Sequence, residues 1–431
     1  MSKHLQWLKQ EIAQWRTEGL VDEALAARIL ARYPEAAERN WSRIIFSAIG
    51  AVLVGLGVIL FFAYNWQQLP KAVKLVLVFA ALLAAHGSAL AIARRADAHR
   101  GLVEGLHVLG TMLFGAGIWL VAQIYHIDEH YPTAFLVWSL GALALAWALP
   151  SIAQALLALF LVTFWAGVEL FEFRSPMHGA PALVVAGVLP LAWLRRSPVL
   201  LFWGLAVLYL VTAFSAMGMH SKALVPLLFV LGAAGLVAGT AAPATRFPSA
   251  AGPLRTLGLL VVLGCSYLLS FKDALGLLRQ VDFSRPGIAI YLGAACAVLA
   301  GAIVLVVRVR RVGLDAYRYW ELALLGIGLV IVLASGVFGY SKSVGWPIVL
   351  AFNVIVLGFA ALFILEGSEQ LRAKMVGAGC LLFAMVVFGR YADLFTSLLV
   401  RAAVFIALGA ALFFVGNFYA RSRRRVQGAQ S

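Results

Sequence analysis

Polar side chains that could do chemistry are few in this chain, and they gather where apolar runs end. Asn65, Trp66, Gln67 and Gln68 close one run, and Gln123, Tyr125, His126, Asp128, Glu129 and His130 close another. Glu169 and Glu172 end a third, while Arg390, Tyr391, Asp393 and Arg401 flank a late turn. Amides, aromatics and opposite charges in this arrangement could line a polar vestibule that binds a solute or a lipid headgroup. The candidate residues are Asn65, Trp66, Gln123, Tyr125, His126, Arg390 and Asp393. The same aromatics are also what a membrane-interface belt requires, and the carboxylates also balance Lys71, Arg174, Arg390 or Arg401.

His126-Ile127-Asp128-Glu129-His130 fits the H-x-x-E-H spacing in which two histidines one helical turn apart hold zinc and a glutamate serves as base. That chemistry needs a helix through the motif and a third ligand. Pro132 follows at once and the stretch occupies a short turn, so no metal is expected. His86 and Asn353 lie deeper in their apolar runs, about seven residues from the nearer end. A bond from each to a neighbouring backbone carbonyl is the expectation. There is no phosphate-binding glycine loop, no nucleophile elbow, no dinucleotide fingerprint and no pair of intramembrane aspartates. Neither an enzymatic activity nor a cofactor is therefore expected. An intramembrane enzyme would require ionisable residues that meet across helices.

The elements that must position these groups are set by composition. Of 431 residues 63% are hydrophobic and 12% charged, against roughly 25% charged in soluble domains. With a mean hydropathy of +0.94, this excludes a soluble globular protein and a disordered one. Cys265, Cys296 and Cys380 sit inside apolar runs and are expected to pack rather than to form a redox or metal framework. A membrane helix needs roughly 20 mainly apolar residues. Candidates fall at 44–64, 72–93, 105–125, 133–149, 152–171, 180–194, 198–217, 222–240, 255–271, 287–308, 319–339, 346–366, 375–389 and 396–418. The fold class predicted is all-α, a polytopic transmembrane helix bundle of twelve to fourteen spans, fourteen preferred. The segments 180–194 and 375–389 are short for a full crossing and suggest tilted, half or re-entrant helices.

Charge provides an independent test, because short cytoplasmic loops carry excess Lys and Arg. With fourteen spans and a cytoplasmic N-terminus, 24 of the 34 basic residues fall inside and 10 outside. Both termini are then cytoplasmic. The formal charge of +15 reflects this topology and contact with anionic lipid. The basic groups are spread over many short loops, so nucleic-acid binding is not expected.

Residues 1–43 read as a small cytosolic helical hairpin. Leu5, Leu8, Ile12 and Trp15 have helical spacing, Gly19 breaks the run, and Asp22 can cap a second helix. That helix would bury Leu25, Ala26, Ile29 and Leu30 before Pro34. Membrane helices 1–8 occupy 44–240 and helices 9–14 occupy 255–418. The Pro- and Ala-rich loop 241–254 reads as the boundary between them, and 419–431 as a basic cytosolic tail. Gly50, Leu53, Gly55, Gly57 and Leu60 recur sixty positions on as Gly110, Leu113, Gly115, Gly117 and Leu120, with an echo at Gly326 and Gly328. Parallel repeats of this sort occur in transporter folds. Gly235 and Gly239, in a G-x-x-x-G, predict close helix packing.

Trp15 through Gly19-Leu20-Val21, the first span ending Ala63-Tyr64-Asn65-Trp66, and Gln123-Ile124-Tyr125-His126 together carry a resemblance. Over about residues 1–150 the chain resembles a bacterial family of predicted membrane proteins catalogued as domain of unknown function 2157. The end of the chain is also similar to full-length members, through Gly389-Arg390-Tyr391-Ala392-Asp393-Leu394-Phe395, Arg401 and the tail Arg421 to Arg425. The resemblance implies a bacterial inner-membrane protein with a cytosolic N-terminal helical region. It implies no activity and no site residue.

Two functions are expected from this reading. The first is a non-enzymatic, transporter-like or lipid-interacting bundle with its polar site facing outward, whose partner is membrane lipid. The second is a membrane scaffold or sensor that recruits a protein partner through residues 1–40.

Overall fold

The computed structural model describes residues 3–31, 69–95, 99–126, 130–149, 151–175, 179–219, 223–278, 281, 286–308, 315–339 and 344–394, with a few positions between 406 and 415. The chain divides into two compact units, Met1–Val76 and Leu77–Ser431. Of the expected spans, 44–64 and most of 396–418 lie outside the described residues, and with 44–64 the first copy of the glycine repeat.

In the first unit α1 (Lys3–Thr17) and α2 (Glu23–Ala31) form the expected hairpin. Gly19 stops α1 with a φ of 73°, a left-handed backbone that glycine adopts without steric cost. Asp22 caps α2, its Oδ1 accepting from Leu25 N at 2.6 Å. Ile12 and Ala26 are buried, whereas Leu25, expected inside, is exposed. The face of α2 turned inward is therefore narrower than its apolar stripe.

Among the described residues twelve apolar helices follow: α3 (Lys71–Ala93), α4 (Arg100–Tyr125), α5 (Pro132–Ala148), α6 (Ile152–Phe171), α7 (Gly179–Leu194) and α8 (Pro198–Gly218), then α9 (Leu224–Ala241), α10 (Ala251–Leu269), α11 (Pro286–Arg308), α12 (Ala316–Phe338), α13 (Gly345–Glu369) and α14 (Ala373–Leu394). Ten are long and apolar enough to cross a membrane, and no strand occurs among the described residues. The protein is an all-α polytopic bundle. Serine and aspartate caps start several of these helices. Ser151 Oγ accepts from Gln154 N, Ser197 Oγ from Leu200 N, and Asp315 Oδ1 from Arg318 N.

One span length differs from expectation. The segment 375–389 belongs to a helix of 22 residues, because Lys374 and the polar residues after Gly389 continue it. The helix at 133–149 has the 17 residues expected, between Pro132, which starts it, and Pro150, which follows it. The segment 180–194 is short as expected and is interrupted by a π turn at Val184–Val188, where Leu189 N bonds back to Val184 O. Pro190 has no N–H to give the preceding turn, which widens. Gly187 O accepts instead from Trp147 Nε1 at 2.8 Å.

Burial follows apolar symmetry. α9 is apolar on every side and packs against α8, α10, α11 and α12. One core joins residues of α5 to α8 and a second joins α9 to α13, with Leu228, Leu231 and Val261 packed against both. At the periphery α3 leaves Phe79, Leu83 and Leu90 exposed, the surface a lipid phase would cover. The stretch 242–250 forms two tight 3-10 turns with Phe247 buried.

Candidate functional site

The sequence candidates take separate positions. Gln123 and Tyr125 lie in the last turn of α4, exposed, and His126 ends that helix in a left-handed conformation with its N–H bonded to Ala122 O. Arg390 lies near the end of α14, where its guanidinium donates to Ser270 O and Oγ and to Asn353 Oδ1 and stands 4.4 Å over the Phe271 ring. Asp393 continues that helix, and its side chain lies outside the described residues, as do Asn65 and Trp66.

The loop after α4 is tied to the end of α6. His130 Nε2 stands 2.6 Å from Glu169 Oε1, and the Glu169 carboxylate is 2% exposed. Trp165 Nε1 donates to the same oxygen at 3.3 Å. Among the described residues Glu169 Oε2 has no hydrogen-bond partner. A buried carboxylate oxygen without a donor is costly, which makes this position a candidate to bind something. His130 packs edge-on against Phe173, and the Tyr131 hydroxyl donates to Glu172 Oε2. That bond, with the nearby negative charge, holds the tyrosine above its ordinary pKa. A separate open cleft of about 240 Å³ is lined by Leu170, Phe171, Arg174, Met217 and Gly218, on the other face of the end of α6 from Glu169. His130 thus serves Glu169, and among the described residues no group of three metal-ligating side chains forms.

A third assembly involves carboxylates that sequence reasoning passed over. Glu321, 3% exposed, accepts from Arg255 Nη2 through both oxygens at 2.9 Å and from Arg318 Nη1 at 2.7 Å. Arg318 Nη2 also reaches Glu366 Oε1 at 3.1 Å. Two cations and two anions from α10, α12 and α13 thus neutralise one another inside the bundle. The available signal was the presence of Glu321 and Glu366 in helix ends otherwise dominated by arginine.

The deeper polar residues divide. Asn353 Nδ2 donates to Val349 O at 2.7 Å and to Ser270 O at 3.2 Å, which is the carbonyl bonding expected. His86 meets no carbonyl among the described residues. Its Nδ1 lies 3.0 Å from Nδ1 of His107, a residue sequence reasoning did not single out. Ionisable side chains do therefore meet, His86 with His107 across two helices and His130, in a loop, with Glu169.

Helices of this length and apolarity, with buried ion pairs between them, define a multi-span α-helical membrane protein. Residues 13–155 match the family model described as "Predicted membrane protein (DUF2157)", from the end of α1 through α2 to the start of α6. None of the curated proteins and none of the solved structures matches the chain.

Proposed function

We propose that this membrane protein is a non-enzymatic, transporter-like bundle of the bacterial inner membrane, with cytoplasmic termini and an outward polar site anchored by Glu169. The observation that carries the reading is the Glu169 carboxylate, 2% exposed, whose Oε2 has no hydrogen-bond partner among the described residues. Such a group favours a ligand that brings an N–H donor or positive charge, as an amine solute or the ammonium of a lipid headgroup does. The 24 to 10 partition of basic residues supports the orientation. Neither the His130–Glu169 pair nor the His86–His107 rings have a serine, threonine or cysteine bonded to them among the described residues, which supports a binding role over nucleophilic catalysis.

Thermal unfolding of the purified protein with a panel of amines and phosphatidylethanolamine tests this. At ligand concentrations a hundredfold above Kd the expected stabilisation is about 2.7 kcal/mol. It should vanish in Glu169→Gln and persist in Tyr125→Phe. Equal stabilisation of wild type and Glu169→Gln, or none with any amine, would refute the site.

Trp7 and Leu20 are exposed on the hairpin, which favours the second reading, recruitment of a protein partner by residues 1–40. Deletion of those residues should then leave membrane insertion intact and abolish complementation of a deletion strain. Full complementation by the truncated chain would exclude it.

A further inference from the structure

His86 and His107 are placed where a bare polar side chain is expensive. His86 lies seven residues before the end of α3 and His107 seven after the start of α4. At 1.5 Å per residue each is about 10 Å along its helix from that end, inside a hydrocarbon layer about 30 Å thick. The ring of His86 reaches α4 because Gly110 leaves room; a Cβ there would lie 2.4 Å from His86 Nε2. The two rings stand with centroids 5.3 Å apart and Nδ1 atoms 3.0 Å apart.

Hydrogen-bond arithmetic makes this pair unlike a packing contact. Between two Nδ1 atoms at that distance there is room for one proton, so one ring carries Nδ1–H and the other carries Nε2–H. Neither Nε2 has a hydrogen-bond partner among the described residues. One turn along α4, the Thr111 hydroxyl stands 3.0 Å from both His107 O and Gln154 Oε1, yet it has one proton to give. If that proton goes to His107 O, the Gln154 amide turns so that its nitrogen donates to Thr111. In either orientation one amide atom of Gln154, a side chain with no exposure, stays unpaired. Unfilled polar valence is thus concentrated around His107.

The charged surroundings are sparse. Among the described residues α3 adds no ionisable group to His86 within the membrane, and Arg94 and Arg95 lie exposed beyond its end. On α4 the nearest carboxylate is Glu104, one turn below His107, which accepts from Ser151 Oγ at 2.8 Å and Ala153 N at 3.2 Å. α5 contributes the Trp138 indole, bonded to Thr111 O, and α6 contributes Gln154.

We propose that His86 and His107 form an intramembrane proton-binding site, which holds one extra proton between the two rings and exchanges it at the Glu104 end of the bundle. A proton that arrives at the bare Nε2 of the donor ring makes an imidazolium. Its Nδ1 proton moves along the 3.0 Å bond to the other Nδ1, and that ring then releases its Nε2 proton. One proton enters, one leaves, and the two tautomers are exchanged. A second extra proton would set two N–H groups head to head and break the bond, so the capacity is one. The inference stands independently of any ligand at Glu169.

The test uses full-length protein with 15N-labelled histidine in phosphatidylethanolamine/phosphatidylglycerol nanodiscs, titrated from about pH 8 to 4, the range around the ordinary histidine pKa. The expected result in wild type is a 15N–15N coupling between the two Nδ1 atoms. On acidification both rings should shift in one shared transition that takes up one proton. His107→Gln should abolish the coupling and change the His86 transition, which assigns the signals. Two independent transitions, no transition in that range, or no Nδ1–Nδ1 coupling in wild type would overturn the site, whatever the variant does.

Discussion

Glu321→Gln is expected to destabilise the bundle by about 3–5 kcal/mol, the loss seen when one partner of a buried ion pair is removed. The substitution keeps the shape of the side chain and removes only its charge. Arg255 would lose the carboxylate that it contacts through both oxygens at 2.9 Å, and Arg318 would lose its bond of 2.7 Å. Glu366 alone would remain for two guanidinium groups. Thermal or denaturant unfolding in detergent measures the effect. A double variant, Arg255→Met with Glu321→Leu, should recover much of the loss, because it removes both buried charges and retains volume. A change below about 1 kcal/mol in Glu321→Gln would place the cluster in water, where exposed pairs contribute that little.

Gly258→Ala should be at least as damaging, for a steric reason. A Cβ on Gly258 would lie 2.7 Å from Gly232 O and 2.7 Å from Leu236 N, which are backbone atoms of α9 and cannot move aside as a rotamer would. The helices α9 and α10 must separate, which disturbs the interface shared by the two cores, and the cost should exceed the usual 1–3 kcal/mol of overpacking. Gly264, on the same helix, faces open space. Gly264→Ala should be neutral or should stabilise by up to about 1 kcal/mol, the helical preference of alanine over glycine. Folded yield and unfolding midpoint of the two variants separate contact from propensity. If both behave alike, the close approach of α9 and α10 is absent.

Much of this architecture was legible without coordinates. Whether a segment can cross a bilayer depends on its own length and apolarity, so twelve expected segments reappear as apolar helices. Capping is equally local, as Asp22 and Ser151 show. The error at 375–389 concerns ends, where one polar turn decides. Glu169 could be named as an ionisable residue at a helix end, but not as a buried one, because burial depends on Trp165 and His130 closing over it. His86 was visible as a deep polar residue, while its expected carbonyl partner proved to be the ring of His107, 21 positions away on another helix.

The sequence by itself determined that this chain forms apolar helices and where its basic residues concentrate, since each of these is a property of contiguous residues. Tertiary structure alone decided which charges meet. Glu321 is neutralised by Arg255, 66 positions distant, and Arg390 is held by Ser270, 120 positions distant. In a low-dielectric interior the energy of an ionisable group is set by the atoms a few ångströms away. Helix packing chooses those atoms, and no local pattern encodes them.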